Sequence, residues 1–128
     1  MSLDIILEAD GQLSMAIVER SLRECGCASI FEDEGEFKAW FPSGMAVHCR
    51  NEPSRRPPSA EDTRDLSFLV AIRCFFRIKS SEPSELSSLE ELDQVVRALA
   101  SNSSAEFVVS FQYESLMYWR AANGLHKA

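Results

Sequence analysis

His48 and Cys49 are adjacent, and an imidazole beside a thiol is a pairing that can turn cysteine into a nucleophile. Their surroundings argue against it. Met45, Val47 and Cys49 alternate with Ala46, His48 and Arg50, which is the period of a strand. Successive side chains of a strand point to opposite faces, so these two cannot exchange a proton. The four cysteines, Cys25, Cys27, Cys49 and Cys74, lack the paired Cys-x-x-Cys or Cys/His spacings of a metal site. They are expected to be structural thiols, reduced in a cytoplasmic protein. Glu32, Asp33, Glu34 and Glu36 offer carboxylates for acid–base work, but a polar chain reversal gives them no apolar pocket to raise a pKa. Pro42-Ser43-Gly44 lacks the first glycine and the strand-to-helix context of a nucleophile elbow. No glycine-rich phosphate loop occurs, and His126, the other histidine, stands near the carboxyl-terminal end. The expectation is a non-enzymatic chain with no cofactor and no bound metal.

The residues that remain interesting are aromatic and charged, and strands must position them. The chain is organised around Ser67 to Lys79, where Phe68, Val70, Ile72, Cys74, Phe76 and Ile78 alternate with Leu69, Ala71, Arg73, Phe75, Arg77 and Lys79. That predicts a strand with one buried face and one partly wet face. Leu3 to Glu8 reads as a first strand ending at Asp10-Gly11. Met15, Val18, Leu22 and Cys25 recur at helical spacing, with Gly26 placed to stop the helix. Ala28 to Phe31 and Phe37 to Phe41 flank the acidic tip as a hairpin, and Met45 to Cys49 follows as another strand. Residues 51–65, NEPSRRPPSAEDTRD, contain three prolines and no apolar period, which predicts an exposed, mobile loop inside a single domain. Ser87-x-x-Glu90 and Ser88-x-x-Glu91 read as overlapping capping boxes for a helix carrying Leu89, Leu92, Val96 and Leu99 inward. Phe107 to Phe111 and Leu116 to Ala121 close the set of strands, before a polar tail over residues 123–128.

The helix stripes 15, 18, 22, 25 and 89, 92, 96, 99 match in spacing. Each is preceded by a strand and followed by a strand pair. The expected fold is α+β: an antiparallel sheet of about six to seven strands with two helices packed on one face, in the manner of a duplicated βαββ unit, ferredoxin-like or split βαβ. The opposite face would then carry Lys38, Trp40, His48, Arg50, Leu69, Arg73, Phe75, Arg77, Ser110 and Gln112. Aromatic and arginine side chains are the types that carry most binding energy at protein interfaces. They also stabilise exposed sheets by pairing across strands.

Length and charge bound the partners. A chain of 128 residues is one domain, large enough to bury a core without staples. With 13 basic and 20 acidic residues the formal charge is −7, which makes nucleic acid an unfavoured partner and a basic protein a favoured one. The amino terminus shows no secretion signal, and no apolar run approaches the ~20 residues of a membrane helix, so a cytoplasmic location without membrane contact is expected.

The segments Phe37 to Met45, FKAWFPSGM, and Phe107 to Arg120, FVVSFQYESLMYWR, resemble small bacterial immunity proteins that neutralise polymorphic or contact-dependent toxins. That resemblance implies an acidic cytoplasmic protein that occludes a cognate toxin domain, often a nuclease. It carries no particular residue across. From the physical reading alone, Glu32, Asp33, Glu34, Glu36, Lys38, Trp40, Arg73, Phe75 and Arg77 are the expected partner-binding residues. The alternative is an adaptor or RNA-binding sheet face, with Phe75 and Trp40 stacking bases beside Arg73 and Arg77. Exposed Leu69 and Phe75 also leave a homodimer open.

Overall fold

Apolar alternation recurs along the chain and builds a single sheet. The computed structural model describes residues 2–79 and 84–128. In order these are β1 (Ser2–Ala9), α1 (Met15–Glu24), β2 (Ser29–Asp33), β3 (Glu36–Trp40), β4 (Ala46–Asn51), β5 (Ile72–Lys79), α2 (Ser84–Asn102), β6 (Phe107–Phe111), β7 (Ser115–Ala121) and β8 (Gly124–Lys127). The strands form one eight-stranded sheet in the order β2-β3-β4-β5-β1-β6-β7-β8. Every neighbouring pair is antiparallel.

β1 is the axis of this arrangement. β5 and β6 both run antiparallel to it, one on each side, and α2 joins them, so β5-α2-β6 is a split βαβ with β1 in the gap. α1 makes a wider crossover, from β1 to the edge strand β2, with β5, β4 and β3 between. The helices lie side by side on one face.

The register decides which residues are buried. Ile5, Leu7 and Ala9 oppose Phe76, Cys74 and Ile72 on one side, while Leu7 and Ala9 oppose Val109 and Phe107 on the other. All of these are at most 1% exposed and face Val18 and Leu22 of α1 and Leu92, Val95, Val96 and Leu99 of α2. α1 starts where the Ser14 hydroxyl accepts the Ile17 N–H, and stops where Gly26 takes φ 84°. There the N–H groups of Gly26 and Cys27 return to the carbonyls of Arg23 and Leu22. The Glu34-Gly35 turn between β2 and β3 has both residues at positive φ, 51° and 82°, matching the twist of a tight hairpin.

Four expectations need correction. Among the described residues the strands number eight rather than six to seven, because residues 124–127, expected in a polar tail, pair with β7. The central strand begins at Ile72, not Ser67. Val70 and Ala71 are buried in succession, and their N–H groups donate to the carbonyls of Arg56 and Ala9, so the chain is crossing onto the sheet there rather than running in it. Each helix is followed by three strands, not two, and the halves are laid down in opposite senses: β2 to β4 from the edge inward, β6 to β8 from the centre outward. The capping-box serines lie within α2, which starts at Ser84. Ser88 and Glu91 instead bond to Ser43 and tie the β3–β4 turn to the helix.

Candidate functional site

The sheet face away from the helices has two halves of opposite character. One half, over β1, β6 and β7, is covered by the segment 52–71. Its anchor is Glu8, which projects from β1 to that side. The Glu8 carboxylate accepts the N–H groups of Ser59 at 2.7 Å and Ala60 at 3.0 Å, and an Arg73 N–H at 2.7 Å. Arg73 also donates to Glu52 at 2.8 Å, and Glu52 accepts from Arg50 at 2.9 Å. A fully buried carboxylate is tolerable only with such partners. Burial alone would lower the Arg73 pKa, but the Glu8 hydrogen bond and charge, with Tyr113 and Glu52 adding to them, raise it overall. Further along, the Glu61 N–H donates to the Tyr113 carbonyl, and the Arg64 guanidinium sits 4.8 Å over the Trp119 ring. Ile6, Glu8, Val108 and Ser110 are consequently no more than 3% exposed although they point away from the helices.

The residues 51–65 are therefore exposed along most of their length yet fastened near the middle, with Ala60 buried. Asn51 belongs to β4.

Among the described residues, the other half, over β2 to β5, carries no such cover. Trp40 is 41% exposed and Phe31 61%. Trp40, Lys38, His48, Arg50, Phe75 and Arg77, with Asp4 from β1, line an open groove of about 520 Å³. Cross-strand register explains the grouping: His48 lies opposite Lys38 on one side and Phe75 on the other, and Arg77 opposite Asp4 and Ala46. The Phe75 ring is packed by the His48 ring at 6.1 Å and by the Arg50 guanidinium at 5.0 Å. Arg77 bonds Asp4 at 3.0 Å and His48 bonds Glu36 at 3.0 Å.

Of the expected residues, Lys38, Trp40, Phe75 and Arg77 come together in the groove. Asp33 and Glu36 border it, lining a smaller depression with Phe31, Lys38 and His48. Glu34 is at the hairpin tip, and Glu32, opposite Phe37, points to the helix side. Arg73 is withdrawn into the bonds with Glu8 and Glu52 and marks the border between the halves. Asp4 and Phe31 escaped the sequence reading. Asp4 was legible as the polar member between Leu3 and Ile5, whereas Phe31 became visible only once the order of strands put β2 at the edge. Ser110 does face this side but lies under the 52–71 segment, and Leu69 is in that segment, 55% exposed. In β7, Trp119 lies on the face away from the helices, beneath Arg64, while Tyr118 and Arg120 point to the helices.

Among the described residues, no cluster of three or more His, Cys, Asp or Glu is placed to hold a metal ion. Among the same residues, no helix is long and apolar enough to cross a membrane. Cys49 and Cys74 face each other across β4 and β5, fully buried, and burial together with the neighbouring Cys74 pushes the Cys49 thiol pKa well up, which makes it a poor nucleophile. Compared with known proteins, the chain matches no protein-family model, no curated protein and no solved structure.

Proposed function

We propose that this chain is a non-enzymatic protein-binding module that docks a basic partner on the uncovered half of its sheet. The observation that carries the reading is the contrast between the halves. The same sheet that hides Ile6 and Val108 beneath an anchored segment leaves Trp40 and Phe31 open to water a few strands away. Exposed aromatics beside arginines are what interface cores are made of. The adjoining hairpin carries Glu32, Asp33, Glu34 and Glu36, all exposed, on a chain of net charge −7, which favours a basic partner and steers its approach.

The finer proposal is that the partner is a toxin domain, held inactive by occlusion, as the resemblance to immunity proteins implies. Capture from the source cells with the wild-type chain and with Trp40→Ala tests both levels. The expected result is a basic protein retained by the wild type and lost from the variant, with an association rate that falls as salt rises. Expression of that protein alone should arrest growth, and co-expression of this chain should restore it. Retention by Trp40→Ala equal to wild type, or an association rate indifferent to salt, contradicts the docking reading.

A second reading, single-stranded RNA on the same groove, is favoured by Trp40 and Phe75 standing among Lys38, Arg50 and Arg77. It is disfavoured by the net charge and because Arg50 and Arg77 are already held by Glu52 and Asp4. Titration of a labelled single strand at low salt separates the two, with no binding expected.

A further inference from the structure

We infer that the partner engages this chain by adding a strand to the outer edge of β2, and that the added strand is basic. The inference rests on the protein-binding reading above and supplies its mode. Among the described strands, β2 ends the sheet and pairs only with β3. Among the described residues, no backbone group of 29–33 bonds anything outside that pairing. A five-residue strand presents about 17 Å of edge, a length that peptide strands dock against in many complexes. All its residues but Ile30 are exposed. The opposite edge is different: β8 has four residues, its Lys127 lies 3.8 Å from Asp93 of α2, and His126 is stacked on Trp119.

The side chains choose the occupant. β2 and its turn hold Glu32, Asp33 and Glu34 and no cation. Carboxylates on an edge oppose pairing with a second copy, which would bring the same charges and another −7 against them. They favour a strand bearing Lys or Arg at alternate positions. Phe31 points to the groove side opposite Lys38 and is 61% exposed, so an added strand gains an aromatic cross-strand contact that runs on into the Trp40 surface.

The test uses the full chain and a synthetic nine-residue peptide alternating Lys and Val, with amide hydrogen exchange read residue by residue. Exchange within 29–33 is expected to slow several-fold with this peptide, and to be unchanged by one of equal charge interrupted by proline, which cannot pair as a strand. Glu32→Lys with Asp33→Lys should transfer the preference to a peptide alternating Glu and Val. The proposal is overturned if the proline peptide slows these amides equally, or if no peptide slows them. Slowing that depends only on the concentration of the protein itself would identify a second copy as the occupant and overturn it as well. Peptide effects confined to Trp40 and His48 would discard the edge while leaving the docking face standing.

Discussion

Glu8 is the residue whose environment the chain had to build most carefully. Its carboxylate is buried and depends on Arg73 and on two backbone N–H groups of the covering segment. Glu8→Ala leaves Arg73 half-partnered and the Ser59 and Ala60 N–H groups unbonded, so it should destabilise the fold by on the order of 3–5 kcal/mol. It should also free the segment, which limited proteolysis would register as new cleavage within 52–71. Asp93 offers a pH test. Burial would raise its pKa, but hydrogen bonds from Arg97 and Tyr118 and the charges of Arg97 and Lys127 outweigh that and hold it below the usual carboxylate range. A depressed carboxyl stabilises the fold above its unfolded pKa, ~3.9. That contribution is lost as pH falls through the folded value. Thermal unfolding should therefore show Asp93→Asn to be less stable than wild type at neutral pH, with the difference shrinking toward strong acid. The thiols divide in the same residue-by-residue way: Cys25 and Cys27 are partly exposed with pKa raised by burial, and Cys49 and Cys74 are fully buried. Aromatic disulfide reagents should modify the first pair slowly in the native protein and the second only after denaturant is added. Little of this was legible beforehand, because Glu8 reads as an ordinary polar strand terminus until the segment some fifty positions later is folded over it.

At the scale of elements, periodicity carried the reading wherever one face of an element was buried and the other wet. β3, β4 and the second half of the central strand follow this rule, as do the inward faces of both helices, so their residues were assigned correctly. It failed where burial came from something other than alternation. Residues 67–71 alternate in sequence, yet Val70 and Ala71 are both buried because the chain bonds to the 52–57 region and to Ala9. β8 has a single apolar side chain, Leu125, packed against the core, too little to show a period, and its pairing with β7 depends on the Ala122-Asn123 turn and backbone bonds. Ser88 and Glu91 of α2 fit a capping pattern but serve the Ser43 contact. Ser43→Ala should accordingly loosen the β3–β4 turn and cost about 1 kcal/mol, a value that denaturant unfolding resolves.

For the whole molecule, one sheet face is sealed by two helices and the other is divided between a covered and a bare half. Which face would be free was legible from the alternation of Lys38, Trp40, Arg73, Phe75 and Arg77. The division of that face was not, because it comes from the proline-rich residues 51–65, which have no period of their own, folding onto Glu8, and it removes Arg73 from the site. A docking role for the bare half implies that Trp40→Ala weakens partner binding by roughly 2 kcal/mol or more, the scale of an interface hot spot, while leaving the fold intact. The chain's two tryptophans fall one on each half, Trp40 in the open groove and Trp119 beneath Arg64 and against His126. Hydroxyl-radical footprinting of the chain with and without its captured partner reads them separately. Partner binding should suppress oxidation of Trp40 and leave Trp119 unchanged; suppression at Trp119 with Trp40 unaffected would contradict the account.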